Sequence, residues 1–475
     1  MPDFDVAIIG AGAAGLSVAA ISAGLGLKVA LFERGEMGGD CLNFGCVPSK
    51  ALLAAAHAAA EARRAGRFGV KLPPPEIDWA GVRAHVAGAI AAIAPNDSEQ
   101  RFAGMGVTVV RAMARFTARD ALEAAGRRFT FRRAVIAAGS AAVVPPIPGL
   151  SDVPFLTNET LFGLAEKPGH LLILGGGPIG LEMAQAHARL GCRVTVVEGA
   201  AIAGREEAEC VAPLRAALEA DGVALCESAK VTAVQRDGDG IALLLADGTR
   251  IAGTHLLLAV GRAARVAGLG LEAADVAHSP RGIATDLALR SVSNRRVWAA
   301  GDIADPAGLG PRAFTHVCSQ HAGIIARAML FRLPAKLSYD ALPRVTYTDP
   351  EIAQIGPTEA ELRAAGRPDL AITRWPLAEN DRLVAEGRAE GLVKLVADAK
   401  GRLLGASLVG PGVGNMAGMF ALMVGQRMKL SALAGAVLPY PTAQEAGKRA
   451  ASDFYTPKLL SAPVKRAVGL LKRLP

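Results

Sequence analysis

Two cysteines five positions apart, Cys41 and Cys46, are the residues of this chain best suited to redox chemistry. A disulfide requires Cα atoms within about 7 Å, and four intervening residues allow this if the backbone turns. Gly39 and Gly45 permit such a turn, because glycine tolerates positive φ. The alternatives are a structural disulfide or half of a zinc site, although zinc usually takes a closer spacing and a second ligand pair. The spacing therefore favours a disulfide over a zinc site.

The residues that follow the second cysteine predict a helix. Pro48, Ser49 and Lys50 open an alanine-rich run that continues to about Ala62. Cys46 would then lie near a helix N-terminus, where the partial positive charge favours a thiolate over a thiol.

Residues 38–50, with the sequence GGDCLNFGCVPSK, resemble the redox-active segment of the two-cysteine flavoprotein disulfide reductases. This family includes dihydrolipoamide dehydrogenase, glutathione reductase and mercuric reductase, and the resemblance extends over about residues 5–455. It implies an α/β fold with two doubly wound, Rossmann-like nucleotide-binding domains and a C-terminal α+β dimerisation domain. It also implies FAD and NADH, or NADPH, as cofactors, and a homodimer whose active site is shared between chains.

A first dinucleotide-binding pattern lies at the start of the chain. A buried strand at 5–9 leads into Gly10-x-Gly12-x-x-Gly15, then a helical run, then a second strand ending at Glu33. Such glycines let a pyrophosphate approach the helix N-terminus, and the acid binds a ribose. Because both strands and the acid are in place, the context supports the motif.

The same pattern recurs in the middle of the chain. The second copy consists of a strand at 170–174, a glycine turn at 175–180, a helix at 181–190 and a strand at 193–197, which is followed by Glu198. Two such patterns predict two dinucleotides, with FAD at the first and a nicotinamide at the second; two βαβ units without ligands are the alternative. A carboxylate at the end of the second strand accepts a 2′-hydroxyl and repels a 2′-phosphate, so NADH is favoured over NADPH, although the nearby Arg205 weakens that preference.

The resemblance assigns further cofactor residues beyond the glycine turns. Asp302 follows a strand at 297–300 and is expected to bind a ribityl hydroxyl, with a helix cap as the alternative. Thr315 and His316 begin a helix whose end is expected to face the flavin pyrimidine ring. The predicted FAD site comprises Gly10, Gly12, Ala14, Gly15, Glu33, Gly39, Lys50, Gly139, Asp302, Thr315 and His316. The predicted NAD site comprises Gly175, Gly177, Ile179, Gly180, Glu198 and Gly261.

The resemblance also implies catalytic roles. Cys46 would be the flavin-side thiolate and Cys41 the outer sulfur that attacks the acceptor. Lys50 would lie near flavin N5 and pair with Glu182, because a buried lysine needs such a partner. Without the motif, both charges would be interpreted as ordinary helix-surface residues.

The chain departs from the family near its C-terminus. Tyr440 stands where disulfide reductases of the family have an imidazole base, and Glu445 stands where the orienting glutamate follows. A phenol with a pKa near 10 is a poor base at pH 7. Tyrosine here resembles the mercuric-reductase branch, whose terminal cysteine pair the chain lacks. We therefore expect a soft metal ion, a disulfide or a quinone-like oxidant as acceptor; the alternatives are dihydrolipoamide dehydrogenase and a flavin redox sensor or membrane-docked adaptor.

Length and composition predict several domains. The 475 residues are 51% hydrophobic and only 4% aromatic. The proline-rich stretch 143–149 is incompatible with a helix or an inner strand. We expect an FAD-binding domain at 1–148 and 271–336, an NAD(P)H-binding domain at 149–270, an interface domain at 337–455 and a tail at 456–475. Strands at 107–110, 114–117 and 128–131 are expected to form a small antiparallel set, with another strand at 133–140.

Charge and cysteine usage narrow the cellular context. The net charge is +8, of which residues 456–475 supply five basic residues and no acid. The chain has no basic stripe with interleaved aromatic residues, so we do not expect it to bind nucleic acid. The sequence contains no uncharged apolar window of about 18 residues, so we expect no membrane span. The first strand begins so early that it leaves no room for a signal peptide, and we therefore expect a cytoplasmic protein. The tail predicts a basic amphipathic helix that rests on anionic lipid at the inner membrane surface or packs on its own subunit. Four further cysteines are expected to be small buried hydrophobes: Cys192, Cys210, Cys226 and Cys318.

Overall fold

The computed structural model describes residues 1–472 and 474 of the chain. They form two compact units. The first comprises Met1–Gly175, Arg189–Val197 and Lys230–Ser338, and the second comprises Gly176–Ala188, Glu198–Ala229 and Tyr339–Pro475.

Strands and helices alternate along most of the chain. The strands are β1 (Phe4–Ile9), β2 (Val29–Phe32), β3 (Thr108–Val110), β4 (Arg115–Ala118), β5 (Ala121–Ala124), β6 (Arg127–Ile136), β7 (Ser140–Ala142), β8 (His170–Leu174), β9 (Arg193–Val197), β10 (Val223–Cys226), β11 (Val231–Asp237), β12 (Gly240–Leu245), β13 (Arg250–Gly253), β14 (His255–Leu258), β15 (Arg262–Ala264), β16 (His278–Ser279), β17 (Gly282–Thr285), β18 (Val297–Ala299), β19 (Ala304–Pro306), β20 (Pro343–Thr346), β21 (Glu351–Ile355), β22 (Leu370–Pro376), β23 (Leu392–Asp398) and β24 (Leu403–Gly410). The α-helices are α1 (Ala13–Gly24), α2 (Gly39–Asn43), α3 (Cys46–Arg64), α4 (Trp79–Ile93), α5 (Glu99–Gly104), α6 (Asn158–Leu161), α7 (Pro178–Arg189), α8 (Ala208–Ala220), α9 (Thr315–Ile325), α10 (Glu359–Ala364), α11 (Asp381–Ala385), α12 (Ala417–Gly425), α13 (Leu430–Ala434), α14 (Glu445–Asp453), α15 (Thr456–Leu459) and α16 (Ala462–Leu471).

A parallel sheet forms the centre of the first unit. Its strands lie in the order β3-β2-β1-β6-β18, and every neighbouring pair is parallel. Ile8 pairs with Leu31 on one side and with Val135 on the other, and all three are fully buried. The continuous aliphatic runs are those expected of strands covered on both faces.

The expected antiparallel set is wrong in two respects. β3 pairs in parallel with β2, and the two strands predicted at 128–131 and 133–140 are one strand, β6, whose first half forms an antiparallel meander with β5 and β4. Arg132 and Arg133 lie where the two predicted strands were divided. However, Arg132 pairs with Asp5, and Arg133 reaches the carbonyl of Met329, so the charges leave the strand without interrupting it.

The first glycine turn depends on close backbone packing. Gly10 has φ +103°, and a Cβ there would lie 2.4 Å from the Ala137 carbonyl oxygen. A Cβ on Gly15 would lie 1.8 Å from the carbonyl oxygen of Gly10. Both positions therefore require glycine, because α1 begins directly against the end of the sheet.

A second parallel sheet also contributes to the first unit. β8 pairs with β9 and with β14, and the five residues of β8 are all buried. The bounds of β8 and β9 match the predicted strands. β7 and β15, which lie where the chain leaves and rejoins the first sheet, pair with each other in antiparallel register. The predicted domain bounds remain predictions.

The second unit contains an antiparallel sheet in the order β20-β21-β24-β23-β22. Helices α12 and α14 pack against it, and Phe420, fully buried, lies in their common core with Leu408 and Ala446. Alternate residues of β23, namely Val393, Leu395 and Ala397, belong to this core, so one face of the strand lies in it. Three of the four cysteines that were expected to be buried are buried, namely Cys192, Cys210 and Cys318. The fourth, Cys226, is half-buried.

A buried lysine joins α8 to this sheet. Lys394 on β23 is 2% exposed, and its Nζ lies 2.9 Å from Glu207, 2.9 Å from Glu209 and 2.8 Å from Glu359. Burial opposes the charged form, but the three carboxylates outweigh it and raise the pKa of Lys394. Removal of the lysine would leave three acids without their shared cation.

We expect Lys394→Met to destabilise the protein by about 3 kcal/mol or more, because the carboxylates lose a buried partner. Urea unfolding followed by tryptophan fluorescence measures the loss. Arg374→Met is the matched control: Arg374 also binds Glu209 but is 47% exposed, so its removal should cost less than about 1 kcal/mol. Equal losses in the two variants would contradict the assignment.

Candidate redox site

The turn that carries the two cysteines packs on the first glycine turn. Gly38 and Gly39 have φ of +86° and +61°, and a Cβ on Gly39 would lie 2.6 Å from the Cα of Gly12. Cys41 lies in α2, and Cys46 is the first residue of α3, as predicted. Both are free thiols in the structure, which corresponds to the reduced form of the predicted disulfide.

Cys46 is placed to hold a negative charge. A hydrogen bond from Cys41, a second from Thr315 and the charge of Lys50 outweigh burial and lower the pKa of Cys46 to about 6. The same hydrogen bond and burial raise the pKa of Cys41. The Sγ of Cys46 lies 3.3 Å from the Thr315 hydroxyl, and Thr315 is the first residue of α9. The pair therefore loses its first proton from Cys46.

The predicted ribityl-binding acid belongs to a polar cluster in the first unit. The Oδ2 of Asp302 accepts a hydrogen bond of 2.5 Å from the Ser140 hydroxyl and lies 3.8 Å from the Nε of Arg262. Burial raises the pKa of Asp302, although Ser140 and Arg262 oppose this. Sequence reasoning missed Ser140 and Arg262, because neither belongs to a local motif with Asp302.

The acids at the two strand ends, Glu33 and Glu198, accept equivalent pairs of backbone hydrogen bonds. Glu33 accepts hydrogen bonds of 2.7 Å from the backbone N–H of Ala11 and 2.7 Å from that of Gly35. Glu198 accepts 2.7 Å from the N–H of Gly176 and 2.9 Å from that of Ala200. Each carboxylate thus fixes its own glycine turn, a role that the sequence motif did not predict, and retains lone pairs for a ribose hydroxyl.

The glycine turns leave room for phosphate. A Cβ on Gly12 would meet only the Cα of Gly39, at 3.8 Å, and one on Gly177 would meet nothing within 4 Å. Gly139 is equally open and has φ +67°. Open backbone at the start of α1 and of α7 fits a pyrophosphate at each helix N-terminus.

The remaining predicted FAD residues also lie in the first unit. A Cβ on Gly301, next to Asp302, would lie 3.2 Å from the Cβ of Ala14, so the two motifs meet. The ring of His316 stacks on Phe314 with centroids 5.2 Å apart. His321, which the sequence did not suggest, accepts a hydrogen bond of 3.0 Å from the Gly301 N–H, and burial lowers its pKa to about 4, so it is neutral.

The predicted nicotinamide residues are divided between the two units. Gly175 and Gly261, with φ of +113° and +137°, belong to the first unit, and Gly177, Ile179, Gly180 and Glu198 belong to the second. Glu182 also belongs to the second, where it accepts a hydrogen bond of 2.9 Å from the Tyr347 N–H. Its pairing with Lys50 remains a prediction.

The Tyr440 hydroxyl is bonded to an acid that the sequence did not suggest. The Tyr440 hydroxyl donates a hydrogen bond of 2.7 Å to Asp381, whereas the resemblance assigned the orienting role to Glu445, the first residue of α14. Asn380 explains the difference, since its amide donates to the Thr442 carbonyl at 3.1 Å and holds α11 against this loop. The hydrogen bond to Asp381 raises the pKa of Tyr440, so the phenol stays protonated at neutral pH.

Two dinucleotide turns and a thiol pair with one acidic member are features of enzymes that exchange electrons between a dinucleotide and sulfur. Among the residues that the structure describes, no group of three His, Cys, Asp or Glu side chains could hold a metal ion.

Comparison with known proteins identifies the family. "Pyridine nucleotide-disulphide oxidoreductase" matches residues 4–323, and its dimerisation domain matches residues 342–451. A mercuric reductase of Streptomyces lividans is 38% identical over 465 residues, which cover 95% of this chain and 96% of that protein. A dihydrolipoyl dehydrogenase of Thermus scotoductus is 34% identical over 492 residues and 100% of both chains. The Cu(II) complex of RclA, a flavoprotein disulfide reductase of Escherichia coli, has a TM-score of 0.84 at 26% identity and covers 94% of this chain and 99% of that one.

The chain therefore belongs to the pyridine nucleotide-disulphide oxidoreductase family. Its members are NAD(P)H-dependent flavoprotein oxidoreductases that use FAD and NAD(P)H. The predicted family, fold class and cofactors are thus confirmed.

We expect Thr315→Val to raise the pKa of Cys46 by about one unit, because the thiolate loses a hydrogen-bond donor. The pH dependence of iodoacetamide alkylation of Cys46, resolved by mass spectrometry, should have its midpoint near 6 in the wild type. Ser49→Ala is the control, since the Ser49 hydroxyl donates to the Cys46 carbonyl oxygen and not to the sulfur. An unchanged midpoint in Thr315→Val would contradict the role of this hydroxyl.

Proposed function

We propose that the enzyme passes electrons from NADH through FAD to the Cys41–Cys46 pair and then to a soft metal ion or a disulfide, as a mercuric-reductase-like reductase. The observation that carries the proposal is the unequal acidity of the two sulfurs, with the pKa of Cys46 lowered and that of Cys41 raised. Such a pair keeps one sulfur as a thiolate beside the cofactor and the other as the thiol that meets the acceptor.

FAD, when bound, accepts hydride from the reduced nicotinamide and supplies the electron pair that opens the disulfide. Cys46 then holds the negative charge, stabilised by Thr315 and Lys50. With an external disulfide, Cys41 passes its proton to Cys46 along their hydrogen bond, and the Cys41 thiolate attacks one sulfur atom of the acceptor. The other sulfur leaves as a thiolate, which takes the proton from Cys46. Cys46 attacks the Sγ of Cys41, releases the second thiolate and restores the internal disulfide. A soft metal ion would take the two electrons in place of the external disulfide.

The Tyr440–Asp381 pair favours reduction of an acceptor over oxidation of dihydrolipoamide. Oxidation of a dithiol substrate requires a base that removes a thiol proton, and a phenol whose pKa is raised cannot serve at neutral pH. A protonated phenol can donate a hydrogen bond to an acceptor. We propose that Tyr440 does so, and that Glu445 contributes its charge to the same region.

The nucleotide preference follows from Glu198. Its carboxylate is held by Gly176 and Ala200, so it cannot turn away from a 2′-phosphate. We therefore propose NADH as the favoured donor, although the charge of Arg205 nearby in the sequence opposes this preference.

The dimerisation domain at residues 342–451 supports a homodimer. We propose that the segment around Tyr440 completes the active site of the partner subunit. The exposure of Tyr440, 68% in a single chain, fits this role, because a partner would cover the ring.

We expect Cys41→Ser to abolish turnover with Hg(II), Cu(II) and glutathione disulfide, because the attacking sulfur is lost, while reduction of the flavin by NADH persists. Stopped-flow absorbance measures flavin reduction, and an acceptor panel that also includes lipoamide and quinones measures turnover. Cys226→Ser, which alters a half-buried thiol outside the site, is the control. Retained turnover with these acceptors in Cys41→Ser would contradict the mechanism, and dihydrolipoamide oxidation as fast as NADH-driven turnover would replace the proposal by dihydrolipoamide dehydrogenase.

We also propose that the tail touches anionic lipid. No helix among residues 1–472 is long and apolar enough to cross a membrane. α15 and α16 contain no buried residue, and Leu470 and Leu471 are 67% and 61% exposed. At 100° per residue, Val464, Val468 and Leu471 share one side of α16, whereas Lys465 and Arg466 lie about 100° and about 200° around the helix from Val464. Arg473, part of the predicted basic stretch, lies outside the described residues. Such a helix fits the interface of an anionic bilayer.

We expect the full chain to co-sediment with phosphatidylglycerol vesicles and to be released by salt, because basic residues near anionic lipid contribute about 1 kcal/mol each. Residues 1–455 and the variant Lys465→Glu/Arg466→Glu should stay in solution. Arg127→Glu/Arg128→Glu, a reversal of an exposed doublet on β6, is the charge-matched control. Equal partitioning of the full and shortened chains would contradict the contact.

A further inference from the structure

We propose that Asp40, Asn158 and Arg262 form a positioning cluster for the cysteine pair. The cluster pins the turn between the two sulfurs and balances the charge beside them. This inference rests on the proposed redox role of Cys41 and Cys46 and adds residues to which neither the motif nor that role assigns a function.

Asn158 holds the turn at two points. Its side-chain amide donates a hydrogen bond of 2.8 Å to Oδ1 of Asp40 and one of 3.2 Å to the carbonyl oxygen of Phe44. Asp40 directly precedes Cys41, and Phe44 lies two residues before Cys46. One buried amide therefore fixes the backbone on both sides of the segment that must open and close as a disulfide.

Arg262 holds the same carboxylate from the other side. Its Nη2 lies 3.2 Å from Oδ2 of Asp40, and the arginine side chain is only 15% exposed. Two contacts with Ser140 set the guanidinium plane: Nε donates to the hydroxyl at 2.7 Å and Nη2 donates to the carbonyl oxygen at 3.0 Å. With Asp302 3.8 Å from Nε, the cation lies between two acids.

Close packing transmits the position of Asp40 to the second cysteine. A Cβ on Gly45 would lie 3.0 Å from the Asp40 carbonyl oxygen and 3.1 Å from its Oδ2. Gly45 directly precedes Cys46, so the carboxylate lies against the backbone that carries this sulfur. A shift of Asp40 would therefore move Cys46 as well.

The two donors come from the connections between the parallel sheets. Asn158 begins α6, on the segment that leads toward β8, and Arg262 begins β15, on the segment that returns from β14. Gly261, a predicted nicotinamide-site residue, precedes Arg262. The cluster thus ties the cysteine turn to both segments that flank the second sheet.

The charge argument gives a direction for each variant. The reduced pair carries a thiolate, and the charged or titratable groups that act on Cys46 are Cys41, Lys50, Asp40 and Cys318. Loss of the Arg262 cation leaves the Asp40 carboxylate uncompensated, which destabilises a neighbouring thiolate and favours the disulfide. Loss of the Asp40 charge favours the dithiol.

The test is the thiol–disulfide equilibrium of the FAD-loaded enzyme in dithiothreitol buffers at fixed pH, read by alkylation and mass spectrometry of Cys41 and Cys46. Arg262→Gln should shift the equilibrium constant about threefold toward the disulfide, or ~14 mV. Asp40→Asn should shift it toward the dithiol. The double variant should lie near the wild type, because the two charges cancel.

Arg265→Gln is the matched control. Arg265 lies three residues along the same segment and donates to the Ser140 carbonyl oxygen at 2.9 Å, but its charge pairs with Glu159 and not with Asp40. It should leave the equilibrium unchanged. Arg262→Lys, which keeps the charge, should shift it less than Arg262→Gln.

Shifts of the same sign in Arg262→Gln and Asp40→Asn, or an equal shift in Arg265→Gln, would overturn the inference while leaving the redox role intact. If Arg262→Gln fails to fold, the sign of the Asp40→Asn shift still decides. A wild-type pair that forms no reversible disulfide would instead overturn the proposed function itself.

Discussion

A proton shared between two sulfurs is the interaction on which the rest of the site depends. Cys41 can donate to Cys46 only if the turn between them brings the side chains together, and Gly39 at the start of this turn lies against the backbone of Gly12, where a Cβ would not fit. The first dinucleotide turn and the redox turn are therefore one packed structure. Thr315 adds a second donor to the same sulfur from the start of α9. Together these contacts place the Cys46 thiolate in the turn that packs on the first glycine turn, where we propose that FAD binds. Two-electron exchange between a dinucleotide and sulfur requires such proximity.

In the two glycine turns, one side chain likewise makes several structural contacts. In each, a carboxylate at the end of the second strand binds the backbone N–H of a glycine-turn residue and that of the residue two positions beyond itself. The acid thus has a structural role that is independent of any ribose. In the second unit, the buried Lys394 is shared by three carboxylates from the start of α8 and the start of α10, two of which also pair with arginines.

Much of the fold could be predicted, because its signals are local. Apolar runs next to glycine turns predict the strands at 170–174 and 193–197. The helices that start at Cys46 and at Thr315 also begin where the sequence motifs place them. β6 was predicted as two separate strands, and the partners of Arg132 and Arg133, which are Asp5 and the Met329 carbonyl, are known only in the folded chain. The contacts that complete the site could not be predicted for a similar reason. Asn158 and Asp40 are 118 residues apart, Arg262 and Ser140 are 122 apart, and Tyr440 and Asp381 are 59 apart. None of these pairs has a sequence signature, since each is created only when distant segments meet.

The measurement that tests the account most directly is an anaerobic titration of the oxidised, FAD-loaded enzyme with NADH, followed by alkylation of its thiols and mass spectrometry. The account predicts that one equivalent of NADH per subunit converts the disulfide into two alkylated residues, Cys41 and Cys46, with no change at Cys192 or Cys210. Reduction of the flavin by NADH with both sulfurs still joined, or with new thiols elsewhere in the chain, would contradict it.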